Sequence, residues 1–369
     1  MDTCNNNLIY GVPLNAYNES YYPGGSSGGS SSAVSCGIVP IALGCDGGGS
    51  IRLPSSWCGI YGLKTSHGRI STRPYVTRAT STSVAGPMAA NMVDLEVAYR
   101  VMAQPDPEDN INSKFPLPLK STGSSHPKKI GIYKIWNDRA DPPVKAAFQK
   151  AVDYFVQELK YEVVEITIPY IHEGQMAHAL TILNEATSTL TDKELSTLAA
   201  PNQMLITVGR CANVTEFLSA QRIRNLLMQH LAFIFERHPG ILILTPTTPN
   251  PGWPIHPADS KYGVSDGNRS IRNMEYVWLA NFTGLPSITA PVGFAEPVQG
   301  KGMVPIGLMA TAEWGAENEL IEFGYEAEVY LNKKLDGGRV RPDAWVDTLA
   351  AVEEPLNSWN AVNGEQPSP

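Results

Sequence analysis

Two serines set among glycines, Ser26 in PGGSSGGS and Ser50 in DGGGS, form the residue pattern in this chain best suited to chemistry. A serine hydroxyl is a weak nucleophile at neutral pH. It needs a neighbour to take its proton and donors to hold the oxyanion that forms on an attacked carbonyl. The run Asp46-Gly47-Gly48-Gly49-Ser50 can supply the donors. Its glycines leave backbone N–H groups unshielded and let the chain approach a substrate closely. If those N–H groups converge beside Ser50 Oγ, each is worth roughly 3–4 kcal/mol to the transition state. The same five residues also read as an ordinary glycine turn after a strand. Ser26, likewise flanked by glycines, shifts the reading toward attack on an amide or ester. A serine pair still needs a base beyond it, yet no Lys, Arg or His precedes Arg52, and the first lysine is Lys64.

Established serine and glycine-loop schemes do not fit. The elbow G-x-S-x-G fails because Gly48-Gly49-Ser50-Ile51 is followed by Arg52. No Gly-Lys-Ser/Thr follows the glycines, which removes the phosphate loop. Neither 24–29 nor 44–49 matches the dinucleotide G-x-G-x-x-G, and no S-x-x-K surrounds either serine.

These residues must be positioned by a scaffold that alternates strands and helices. The run GGSSGGSSS reads first as a linker, but AVSCGIVPIALG follows without a boundary. A small-residue helix over 30–37 and a buried strand over 39–43 are therefore expected. Helices are expected over 88–102 and 143–159. In the second, Val144, Ala147, Phe148, Ala151, Val152, Phe155 and Leu159 share one face, with Pro143 in the first turn. Strands are expected over 129–136, 162–168, 241–246, 286–294 and 304–310, with helical stretches over 173–237 and 316–330. The alternation predicts an α/β fold with a mixed central β-sheet covered by helices on both faces. The proline-rich 103–127 reads as a connection, residues 1–331 as one domain with a variable helical region over about 170–240, and 332–369 as a C-terminal tail.

Composition narrows the function. A net charge of −8 without a basic stripe argues against nucleic-acid binding. Five cysteines without C-x-x-C spacing argue against a disulfide framework or zinc site and fit a reducing, cytoplasmic compartment. No apolar run is long enough to span a membrane, and the first residues do not form a signal peptide. The N-x-[ST] triplets starting at Asn18, Asn213, Asn268 and Asn281 read as chance matches. The histidines form no metal-ligand pattern, and His178 and Trp253 are candidates to line a substrate pocket.

Residues 24–30 (GGSSGGS), 37–64 (GIVPIALGCDGGGSIRLPSSWCGIYGLK), 66–69 (SHGR), 86–102, 244–249 (LTPTTP), 281–294 (NFTGLPSITAPVGF) and 304–308 (VPIGL) together resemble the amidase signature family. The resemblance covers about residues 5–331. It implies a Ser–cis-Ser–Lys arrangement: Ser50 as the acylated nucleophile, Ser26 as the bridging serine after a cis peptide, and Gly47, Gly48 and Gly49 as the oxyanion hole. Asp46 and Arg52 would brace that loop. Gly47 departs from the more usual threonine. The family lysine lies upstream of the region where this chain begins, so the sequence is expected to be N-terminally truncated. Lys64 and His67 fall in a segment that the family uses as scaffold. The resemblance implies hydrolysis of a carboxylic amide C–N bond in a small-molecule substrate without cofactor or metal, and leaves room for a homodimer. The alternatives are a catalytically inactive truncated homologue and a glutamine amidase like the amidotransferase subunits that share these motifs.

Overall fold

In a computed structural model, the chain is described over residues 5–75, 77–118, 128–257, 259 and 266–348. Eight strands form one mixed sheet: β1 (Ile41–Asp46), β2 (Tyr61–Lys64), β3 (Val84–Ala89), β4 (Lys129–Ile132), β5 (Glu162–Glu165), β6 (Ile241–Pro246), β7 (Ser287–Ala295) and β8 (Val304–Thr311). Their spatial order is β1-β3-β2-β7-β8-β6-β4-β5. Pairing is parallel for β4 with β5 and with β6, and antiparallel elsewhere. The helices are α1 (Gly28–Ser35), α2 (Arg52–Trp57), α3 (Met92–Met102), α4 (Lys134–Asn137), α5 (Pro142–Gln157), α6 (Ile171–Ser188), α7 (Asp192–Ser196), α8 (Ala200–Arg210), α9 (Val214–Arg237), α10 (Gly267–Asn273), α11 (Trp278–Thr283) and α12 (Glu317–Lys333).

Helices cover both faces of the sheet, as the alternation predicts. On β7, Ile288 faces Gly324 of α12, whereas Gly307 of β8, which pairs with Pro291, turns to Ser56 of α2 on the other side. The apolar stripe of α5 buries Val144, Phe148, Ala151, Val152 and Phe155. Phe155 stacks on Phe323 of α12 with ring centroids 4.7 Å apart. Burying a side chain of this size stabilises the fold by about 2–3 kcal/mol.

The elements expected over 241–246, 286–294, 304–310 and 143–159 fall within a residue or two of their observed bounds. Three expectations are corrected. The strand placed over 39–43 is Ile41–Asp46 at the sheet edge, with Leu43 exposed. A continuous apolar run does not distinguish two-sided burial from an edge, because only packing decides it. The expected helix 88–102 starts at Met92. Its first residues finish β3, and Asn91 caps the helix by accepting from the Asp94 N–H at 2.8 Å. The strand expected over 129–136 stops at Ile132 and gives way to α4.

Residues 119–127, in the proline-rich connection, and 349–369, in the C-terminal stretch, lie outside the described residues. Before that point the chain returns to the N-terminal part. The Val346 N–H donates to Cys36 O at 2.8 Å, and the Tyr17 hydroxyl donates to Val340 O at 2.9 Å.

Candidate active site

The glycine loop links edge strand β1 to α2. Asp46 ends β1 and is fully buried, as is Arg52 at the start of α2. Arg52 Nε donates to Asp46 Oδ2 at 3.0 Å and Nη2 to Oδ1 at 3.1 Å, a two-point pair with fixed geometry. The same carboxylate accepts from the Gly49 N–H at 2.7 Å and the Ile51 N–H at 3.1 Å. Asn281, from α11, closes the cluster. Its Nδ2 donates to Asp46 O at 2.8 Å and Oδ1 at 2.9 Å, and its Oδ1 accepts from Arg52 Nη2 at 2.6 Å. Burial would raise the Asp46 pKa, but the Arg52 charge and the hydrogen bonds from Arg52 outweigh it and hold the carboxyl well below its usual range. The triplet starting at Asn281 is thus a chance match, since its side chain is buried in this cluster.

Backbone shape follows from these bonds. Gly49 has φ +109°, and a Cβ there would lie 2.5 Å from Val277 Cγ2, so only glycine fits without displacement. Its N–H is committed to Asp46 Oδ1. Among the described residues, no hydrogen bond engages the N–H groups of Gly48 and Ser50. The Gly47 carbonyl accepts from His178 Nε2 at 2.9 Å.

Ser26 follows a cis peptide bond from Gly25. Its segment meets the glycine loop directly, because the Ser27 N–H donates to Ser50 O at 3.1 Å. Gly24, at φ +83°, has Leu53 Cδ2 2.7 Å from where its Cβ would lie, so the turn sits hard against α2. Cys58, just past α2, is buried with Sγ 3.3 Å from both Pro23 O and Ser31 Oγ. Burial pushes its thiol up to about 12. Ser26 and Ser50 are both half-buried. Ser26 opens on a cleft of about 480 Å³ lined also by Asn5, Asn6, Asn7, Tyr10 and Asn202. The side chain of Asn5 donates to Gly24 O.

The structure therefore brings together Ser26, Gly47, Gly48, Gly49, Ser50, Asp46 and Arg52. It does not join the two hydroxyls: among the described residues no hydrogen bond links Ser26 Oγ to Ser50 Oγ, and no Lys, Arg or His side chain bonds either one. Lys64 is fully buried on β2, with Nζ donating to Leu285 O at 2.7 Å and Thr65 O at 2.9 Å. Burial, then the nearby Arg52 charge, pushes its pKa down to about 7, against the pull of Asp46 and Glu317. His67 is half-buried, with its pKa lowered by burial and then by Lys64. Trp253 packs with Tyr22, Leu53 and Trp57 in a small separate core.

Sequence reasoning missed Asn281 as a loop partner. It also missed what His178 contacts, since both residues lie far along the chain from the loop they touch. The NFTGLP match gave a faint signal for Asn281, whereas His178 was expected only as a pocket-lining candidate and nothing local tied it to Gly47.

The family described as Amidase matches residues 1–321. The chain belongs to this family. It is 32% identical to a fatty acid amide hydrolase of Medicago truncatula over 95% of its own length and 58% of that protein. It is 30% identical to a glutamyl-tRNA(Gln) amidotransferase subunit of Thermus thermophilus over 83% of its own length and 68% of that protein. The solved glutamyl-tRNA(Gln) amidotransferase subunit of Thermotoga maritima shares the fold, with a TM-score of 0.75 at 24% identity over 90% of this chain and 72% of that one. The chain spans a little over half the length of the plant relatives it matches. Among the described residues, no helix is long and apolar enough to cross a membrane, and no cluster of His, Cys, Asp or Glu could hold a metal.

Proposed function

We propose that this chain carries the acylating half of an amide hydrolase. Ser50 Oγ attacks the carbonyl carbon of a small-molecule amide, and the oxyanion is received by the N–H groups of Gly48 and Ser50. Gly47 and Gly49 shape the loop, Gly49 through its bond to Asp46. Ser26 passes a proton toward the leaving amine, and water releases the acid from acyl-Ser50. The observation that carries this reading is the buried Asp46–Arg52–Asn281 cluster, which fixes the loop while leaving the N–H groups of Gly48 and Ser50 without a hydrogen-bond partner among the described residues. Oriented donors of this kind need no reorganisation when charge develops.

The relay needs a terminal base. Lys64 and His178 are both committed to backbone carbonyls. The family resemblance implies a lysine in this role. Two measurements test the scheme. Labelling of Ser50 by a fluorophosphonate, lost in Ser50→Ala, tests the nucleophile. Amine release from a small-molecule amide, lost in Ser50→Ala, tests turnover. A folded protein that the reagent leaves unlabelled supports the inactive homologue instead.

The similarity to amidotransferase subunits favours a second reading, in which glutamine is the amide and partner subunits receive the ammonia. Glutaminase activity together with co-purifying subunits would select it over a self-sufficient amidase or a homodimer. The unpaired Cys36, Cys45, Cys58 and Cys211 support placement in the cytoplasm.

A further inference from the structure

We propose that His178 is a positioning residue for the oxyanion loop: by donating from Nε2 to the Gly47 carbonyl it locks the Gly47–Gly48 peptide and aims the Gly48 N–H at the reacting centre. This rests on the amidase reading above and adds to it a residue from the variable helical region.

The geometry is specific. His178 sits on α6 and is fully buried. Its Nε2 lies 2.9 Å from Gly47 O. A carbonyl can only accept, so Nε2 carries the proton and the neutral ring leaves Nδ1 bare. That Nδ1 is buried and has no partner among the described residues. Burial pushes the His178 pKa down to about 4, against the weaker pull of the Gly47 carbonyl and Asp46, so the donating neutral form persists at neutral pH. The ring is held edge-on to Phe282, with centroids 6.0 Å apart. It lies close against the loop, since a Cβ on Gly48 would come within 3.0 Å of His178 Cε1. One turn along α6, Ile182 Cδ1 comes within 3.0 Å of where a Gly47 Cβ would be.

A lock is needed because the peptide between Gly47 and Gly48 has glycine on both sides. Glycine populates both signs of φ with similar ease, so this unit can turn over with little steric resistance. In a planar trans peptide the C=O and the following N–H point in opposite directions. Holding the Gly47 C=O toward α6 therefore directs the Gly48 N–H away from α6. The Asp46–Arg52–Asn281 cluster acts on Asp46, Gly49, Ile51 and Arg52, and none of its bonds reaches this peptide. His178 supplies the missing constraint.

The test compares wild type, His178→Leu, His178→Gln and Ser50→Ala. Fluorophosphonate labelling is read as the maximal rate and the half-saturating concentration, and each variant is solved crystallographically. Expected for His178→Leu is a maximal labelling rate lower by about 10–100-fold, part of the loss seen when an oxyanion donor is removed. The half-saturating concentration should change less than threefold, and the Gly47–Gly48 peptide should be rotated or split between two orientations. The Gln variant, whose side-chain amide can reach the same carbonyl, should recover most of the rate. A His178→Leu protein that keeps both the labelling rate and the peptide orientation overturns the inference. If wild type fails to label, the amidase reading falls, and peptide orientation in His178→Leu decides this inference alone: rotation supports it, retention sinks it.

Discussion

The two serines stand on differently held ground. Around Ser50, the loop is tied to three buried side chains: Arg52 on the adjoining α2, and Asn281 on α11 and His178 on α6 from distant parts of the chain. Around Ser26, a backbone bond joins Ser27 to Ser50, an Asn5 side chain bonds Gly24 and the turn packs against Leu53 of α2, while the residue itself faces an asparagine-lined cleft. On the proposed function, the difference separates two tasks. Electrostatic stabilisation of an oxyanion works through dipoles fixed in advance, so its donors belong on a rigid, dehydrated support. Proton relay needs reach to a base and to the leaving group, so it tolerates, and benefits from, an open flank.

That contrast can be broken in several places. The largest effect is expected at Ser50→Ala, which should abolish fluorophosphonate labelling, a loss of at least about a thousandfold by mass spectrometry. Labelling that persists at another serine would move the nucleophile elsewhere. Next, Arg52→Leu leaves the Asp46 carboxylate buried without its cation and should cost about 3–5 kcal/mol in urea unfolding. A loss below about 1 kcal/mol would mean that the cluster is not what holds the loop.

The pH dependence comes third. His178 stays neutral in the fold down to about 4, whereas the unfolded chain takes up the proton near 6.5. Between those values the unfolded state binds more protons, so stability falls as the pH drops from 6.5 toward 4, by up to about 3 kcal/mol. Asp46, Arg52 and Arg224 face this histidine and shape its titration. His178→Leu should flatten that part of the profile, and an unchanged slope would assign it to other groups. Gly49→Ala, which forces a methyl into Val277, should cost about 1–3 kcal/mol in the same unfolding assay. The smallest effect is expected on the open side. Ser26→Ala should change unfolding stability by about 0.5 kcal/mol or less. A larger loss would show the flank to be as tightly built as the loop.

The same contrast governs what could be read from the residues. The strands 241–246, 286–294 and 304–310 and the helix starting at Pro142 announce themselves because periodicity and apolar content agree there. β2, β3 and α2 do not, since Gly62, Gly86, Pro87 and Pro54 look like punctuation in strand and helix alike. At these positions tertiary contact overrides local preference, as where Ser55 Oγ comes within 2.2 Å of a Cβ placed on Gly62. The Asp46–Arg52 pair could be expected because it lies within a continuous run that carries the family resemblance, and the proposed roles of the glycine loop and both serines rest on that same stretch. Asn281 is 235 residues from Asp46, and His178 is 131 residues from Gly47. Long-range pairing of this kind leaves no trace in local pattern, and the asparagine was visible only within the NFTGLP motif and as a chance triplet.

The most direct test is the crystal structure of the fluorophosphonate-treated protein. The account predicts phosphorus bonded to Ser50 Oγ, with the phosphonyl oxygen about 2.7–3.1 Å from the Gly48 and Ser50 nitrogens. An adduct on Ser50 whose oxygen points into solvent, with those two N–H groups turned away, would contradict it.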